Sequence, residues 1–330
     1  FSDRWIISSN VDEQITLDNV NKNIQIKSFN ELRKDGEEYS KLHDSTLTLQ
    51  KSNIAQKINV LKELFSTFEK SNINNYRDVG KTPWTTIVQR IKLVSNSFFR
   101  QKYLDNNAKK QINFEPYAYF PLHYEPERTI LRNGEFYTDQ ISVIRNISQS
   151  LPIEMNLLVK EHHAMKTFGW RNSDFYKKIE DMPKVKLIHP SVSNKTLMQN
   201  ASIITTIAGS TAIEAMFYEK SSVVFSNMNC SALSCIFKIN NLEELPNVIK
   251  KCINTKVDVR ELNQYIDKLK KSSFSCDVFT LTTLASQIFG LGGFLDNNII
   301  CENKMKEFLE KFRNEFDTLA TEHIKKIKQT

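Results

Sequence analysis

Three polar clusters in this chain combine residue types able to hold an anion or move a proton. The first is His123-Tyr124-Glu125-Pro126-Glu127-Arg128, directly after the apolar run YAYFPL at 117–122. The second is Lys160-Glu161-His162-His163, after MNLLV. The third is Ala208-Gly209-Ser210-Thr211, after SIITTI and leading to Glu214. In the first, a carboxylate held beside a cleft suits general-base work or the binding of a ribose hydroxyl. Pro126 biases Glu125 toward an extended shape and so fixes the directions of Glu125 and Glu127. The plain alternative is that Glu and Arg at such an exit are simply solvated.

In the second cluster His162, with an ordinary pKa of about 6.5, can donate to a phosphate or carry a proton. A histidine satisfied by backbone carbonyls is the alternative. Lys160 and Arg171 bring the positive charge that a nucleotide phosphate needs, and Arg171 follows Gly169 of FGW, a turn signal. His189-Pro190, closing VKLI, is a fourth and sparser candidate. In the third cluster Gly209 permits a tight turn and Ser210 and Thr211 open a helix, whose unpaired N–H groups and hydroxyls make a small anion site. Thr211 and Glu214 also read as the two ends of a capping box, with Thr211 as N-cap.

These clusters need a scaffold that ends its strands side by side. From residue 115 onward short apolar runs alternate with amphipathic segments: YAYFPL, 137–151, MNLLVKE, 173–181, VKLIHP, 194–201, SIITTI, 210–220 and SSVVFS. Such alternation predicts βαβ units, and continuous apolar runs predict parallel strands covered on both faces. In an open parallel sheet, ligands bind outside the carboxyl ends of the strands, where the clusters fall. The expected fold is α/β, with a Rossmann-like parallel-sheet domain at 112–290. A mostly helical, shortened N-terminal region fills 1–111 and a charged helix at 291–330 packs back on the molecule. In the N-terminal region RWIISS at 4–9 reads as a strand, IQIKSFNELRK as a strand end running into a helix, and 54–70 and 84–104 as helices. The second of these carries Ile87, Ile91, Val94 and Phe98 as an apolar stripe.

The composition is that of a soluble globular protein, with 40% hydrophobic and 25% charged residues. The surplus of +7 is spread along the chain. It fits a lysine-rich surface, or a polyanionic partner such as a membrane face or a phosphorylated substrate. No nucleic-acid motif is present, so a nucleic-acid partner is not expected. Cys230, Cys235, Cys252, Cys276 and Cys301 form no CxxC pair and have no histidine at metal-ligand spacing, so they read as reduced packing thiols and no metal is expected. No stretch reaches the ~20 apolar residues of a spanning helix. Phe1 stands where a start methionine would, so the chain reads as a fragment or a processed chain.

Taken together, FPLHYEPE, LLVKEHH, VKLIHP, TTIAGSTAIEA and the following VVF resemble the C-terminal nucleotide-binding half of capsule (surface) polysaccharide biosynthesis proteins. These are GT-B type glycosyltransferases related to bacterial Kdo transferases, and the resemblance covers roughly residues 115–226. It implies that His162 contacts the donor phosphate and that Gly209, Ser210 and Thr211 hold it. It places Glu214 at the ribose or nucleobase side. Glu127, with Glu125, faces the reacting sugar or positions the nucleotide, and His123, Arg128, Lys160 and Arg171 line the donor site. Two departures stand out: His162-His163 replaces the usual His-Pro, and Glu125 replaces a glutamine variant. The implied activity is metal-independent and cofactor-free transfer of a sugar, Kdo or another acidic sugar on a cytidine monophosphate-linked donor. The implied acceptor is a surface glycan or glycolipid. The implied location is the cytoplasm, including peripheral association with the inner face of the cell membrane. Two other readings stay open: a sugar-nucleotide epimerase of GT-B-like architecture, and a non-catalytic, degenerate sugar-nucleotide-binding domain.

Overall fold

In a computed structural model the described residues are 4–7, 26–34, 83–112, 116–125, 128–162, 165, 171–276, 281–282, 284–285 and 302–329. The sequence-predicted helix at 54–70, the turn at Gly169, and Pro126, Glu127, His163 and Cys301 lie outside them. The described residues fall into two compact units, one of 26–34 with those of 91–268, the other of 4–7, 83–90 and those from 269 onward.

The apolar runs become six parallel strands: β1 Tyr117–Pro121, β2 Asn156–Lys160, β3 Val185–Ile188, β4 Ile203–Thr206, β5 Ser222–Val224 and β6 Ile236–Lys238. Their spatial order is β3-β2-β1-β4-β5-β6, with every neighbouring pair parallel. The register is fixed by the two-residue alternation of side chains. Ala118, Phe120, Leu157, Val159, Ile203 and Val223 enter one core, whereas Tyr117, Tyr119, Leu158 and Ile204 enter the other.

Helices cover both faces. The first core receives α3 (Gln140–Ser150) through Val143, Ile144 and Ile147, α4 (Ser173–Glu180) through Tyr176 and Ile179, and α7 (Leu245–Asn254) through Leu245, Ile249 and Cys252. The second receives α5 (Asn194–Asn200) through Leu197 and Met198, and α6 (Thr211–Met216) through Ala215. Asp139 caps α3 by accepting from the Ile141 N–H, and Asn172 caps α4 by accepting from the Phe175 N–H. Because the strand order reverses between β1 and β4, the sheet has a topological switch point at the carboxyl ends of those two strands.

Further elements complete the two units. Helix α1 (Pro83–Asn107) buries Leu104, but Ile91, Val94 and Phe98 of the expected stripe are exposed. Helix α2 (Arg128–Asn133) follows the first cluster, and α8 (Val259–Lys271) follows α7. Residues 29–34 are helical, and Lys27 is held in two places by Asn263 of α8, through its N–H (3.0 Å) and its carbonyl (2.8 Å). In the other unit Arg4–Trp5 pairs antiparallel with Phe274–Ser275. The predicted C-terminal helix is two helices, α9 (Glu302–Lys311) and α10 (Arg313–Gln329), with Phe308, Phe312 and Phe316 clustered against Leu281 and Leu284. Among the described residues no helix is long and apolar enough to cross a membrane. Cys230, Cys235, Cys252 and Cys276 are buried thiols in no disulfide, and burial pushes the Cys230 and Cys235 thiols up to about 12.

Candidate functional site

Strand β1 carries His123 just past its end. The His123 N–H donates to the Gln140 side-chain oxygen at 2.8 Å, and the Gln140 amide donates back to the His123 carbonyl at 3.3 Å and to Glu125. Gln140 is the first residue of α3 and is buried, so a side chain replaces the strand ladder where β1 leaves the sheet. The imidazole crosses the switch point. Its Nε2 accepts from the Thr206 hydroxyl (2.9 Å) and from the Ile207 N–H (3.2 Å), both at the exit of β4. The Thr206 hydroxyl in turn accepts from the Gly209 N–H at 3.2 Å. Burial, then the nearby His162 and Arg171, lowers the His123 pKa to about 4.

Gly209 is needed for closeness rather than for an unusual backbone angle. A Cβ there would stand 2.6 Å from the Thr206 hydroxyl and 3.2 Å from Cε1 of His123.

The exit of β2 is tied to that of β1 by one arginine. Arg171 donates to Glu161 (2.7 Å), to the His123 carbonyl (2.6 Å) and to Glu125 (3.2–3.3 Å), and it stacks over Phe175 with its carbon 4.6 Å from the ring centre. Burial alone disfavours its charge, but Glu161 and Glu125 outweigh that and hold its pKa above the ordinary value. Glu161 also accepts from the Tyr176 hydroxyl and from the His162 N–H (2.6 Å). Burial, reinforced by Glu161, pushes the Tyr176 phenol far up. The His162 ring is half-buried, 6.3 Å from that of Tyr124.

Lys160 takes no part in this network. Lys160 points to the opposite face from Glu161, as successive strand residues do. There it donates to the Val192 carbonyl and to Asn194 (2.5 Å), which also accepts from the Tyr119 hydroxyl. Burial lowers the Lys160 pKa to about 8. At the exit of β4 the N-cap of α6 is Ser210, not the expected Thr211, and no side chain caps the helix. The Ser210 hydroxyl donates instead to Glu214 at 2.7 Å, and both are exposed, while Thr211 is half-buried. Arg128 opens α2. His189 braces the end of β3 to the end of α1: its Nδ1 accepts from the Ser191 N–H (3.1 Å) and contacts the Ser191 hydroxyl, and its Nε2 meets Asp105 at 2.8 Å.

Gln140, Glu161, Tyr176 and Thr206 hold this cluster together, and the sequence alone assigns none of them a role of its own. Glu161 stood inside the second motif and Thr206 inside an apolar run, where a polar residue signals a buried partner. Among the described residues no three or more His, Cys, Asp or Glu side chains are grouped to hold a metal ion. Strand order and helix placement define a Rossmann-like α/β protein with a polar cluster at its switch point.

Comparisons with protein-family models and with curated proteins find no match. Among solved structures the chain is similar to the UDP-GlcNAc 2-epimerase from Methanocaldococcus jannaschii, with TM-score 0.35 and 15% identity over 52% of this chain and 49% of that one. It is also similar to KpsC of Thermosulfurimonas dismutans. The beta Kdo 2,7 transferase gives TM-score 0.34 and 11% identity over 52% of this chain and 51% of that one. The beta Kdo 2,4 transferase gives 0.33 and 11%, over 59% and 58%. The chain thus spans about half the length of the first structures it matches.

Proposed function

We propose that this chain binds a nucleotide sugar at the switch point and serves glycosyl transfer of the GT-B type. One observation carries the reading: the exits of β1, β2 and β4, which bear the three sequence motifs, are joined through the side chains of His123 and Arg171, His123 to Thr206 and Arg171 to Glu161, Glu125 and the His123 carbonyl. A Rossmann-like sheet takes its ligand at this place. In this reading His162 and the Gly209–Thr211 loop receive the donor phosphate. Glu125 and Glu127 orient or deprotonate an acceptor hydroxyl, Glu125 with its carboxylate already aimed by Arg171 and Gln140. The donor is a cytidine monophosphate-linked acidic sugar such as Kdo, and the acceptor a surface polysaccharide or glycolipid.

Calorimetric titration of the full chain with CMP, CDP and UDP tests this. Binding of at least one, weakened at least tenfold in His162→Ala, is expected. No binding at millimolar concentration, or binding indifferent to His162→Ala and Ser210→Ala, would overturn the site. An epimerised product from a UDP-linked amino sugar would overturn transfer.

A further inference from the structure

We infer that His123 joins His162 and the Gly209–Thr211 loop in reading the ligand's phosphate, and that it does so as a neutral imidazole donating through Nδ1–H. The phosphate assignment rests on the nucleotide-sugar reading above, whereas the tautomer rests on protein geometry alone.

The argument begins at Nε2. One of its two hydrogen-bond partners is a backbone N–H, from Ile207, which can only donate. Nε2 must therefore present its lone pair, and the single proton of a neutral imidazole sits on Nδ1. The Thr206 hydroxyl fits the same assignment, since it accepts from Gly209 and is left with its own hydrogen for Nε2. Adding a proton at Nε2 would set N–H against N–H.

Nδ1–H makes no hydrogen bond to a described residue, although His123 as a whole is only 7% exposed. Among the described residues no enclosed polar side-chain atom lacks a partner. The Nδ1 edge must therefore open to solvent while the rest of the ring is enclosed. Gly209 lies against the neighbouring Cε1 at a distance where a methyl group would crowd the ring, so the loop packs close beside it. His162 and Arg171 both oppose protonation of this ring, which suits a neutral donor, and that its acceptor is a phosphate oxygen follows from the nucleotide-sugar reading. A donor of this kind keeps its proton across pH 5 to 8, where an ordinary histidine changes charge.

Long-range nitrogen–proton NMR of the full chain, with histidine labelled, reads the tautomer directly. Protonated Nδ1 and a ring that does not titrate above pH 5 are expected. Protonated Nε2, or a midpoint near 6.5, would overturn the inference. CMP should move the Nδ1 signal and cytidine should not; equal shifts with both would overturn the phosphate assignment. His123→Gln retains an acceptor for Ile207 but places no donor at Nδ1, so its CMP affinity should fall about tenfold. If CMP binds wild type and His123→Gln equally and Nδ1 stays unmoved, this inference fails while the nucleotide site stands. If CMP and the other nucleotides leave the wild type unchanged, the proposed function fails and the phosphate assignment with it.

Discussion

Arg171 has the most demanding environment of any side chain at the switch point. Its guanidinium and the Glu161 carboxylate each have only 3% of the side chain exposed, while Glu125 keeps 33%. Removing the arginine leaves the buried Glu161 carboxylate without the cation it pairs with. Arg171→Met is therefore expected to destabilise the protein by about 3–5 kcal/mol in urea unfolding. Arg171→Lys should recover little, because one ammonium cannot serve Glu161, Glu125 and the His123 carbonyl in their fork geometry. Two buried bases set the pH dependence. His123 titrates at about 4 when folded against about 6.5 when unfolded. The unfolded chain thus takes up the proton first, and stability should fall as pH drops from 6.5 to 4, by about 3 kcal/mol. His123→Gln should flatten that slope. Lys160 titrates at about 8 folded against about 10.5 unfolded. Stability should rise as pH climbs from 8 to 10.5, by about 2 kcal/mol after partial screening, and Lys160→Met should lack the rise.

At the scale of elements, the contact between the β4 exit and the β1 exit is close enough to test with one methyl group. Gly209→Ala would press on the Thr206 hydroxyl that holds His123, and about 1–3 kcal/mol of destabilisation is expected in thermal melts, together with loss of CMP binding. The elements themselves were readable to unequal degrees. Strands β1 to β5 announce themselves because a strand covered on both faces must be largely apolar, as YAYF and LLV are. Strand β6 was not read: Ile236–Lys238 is three residues long and half-buried, with no room for a pattern. The clusters were found as stretches of sequence, but a pleated strand sends neighbours to opposite faces. Lys160 and Glu161 thus separate although they adjoin, and Arg171 joins Glu125 from 46 residues away. Gln140, 17 residues beyond His123, is equally invisible to spacing. Helix α6 starts one residue before the Thr211–Glu214 capping pattern implies, and its N-cap Ser210 donates to the Glu214 carboxylate instead of capping the backbone.

For the molecule as a whole, the sheet unit is not one continuous length of chain. Residues 26–34 join it from far along the sequence, through Asn263, 236 residues from Lys27, and through Arg33, which pairs with Glu219, 186 residues away, at 2.7 Å. The buried Asn263 amide grips both backbone groups of Lys27, as a neighbouring strand would. Asn263→Ala is expected to lower stability by about 1–3 kcal/mol. Hydrogen exchange should rise at 27–34 while β1 and β2 keep their protection.

Arg171 also has a consequence for the history of such a chain. One guanidinium satisfies a carbonyl and two carboxylates on two different strand exits, so none of Glu125, Glu161 and Arg171 can drift independently. A lineage that lost the arginine would have to neutralise Glu161 in nearly the same step, and would then release Glu125 from its bearing. The three positions form a single heritable character, kept or surrendered together, and among related chains they should vary as a set.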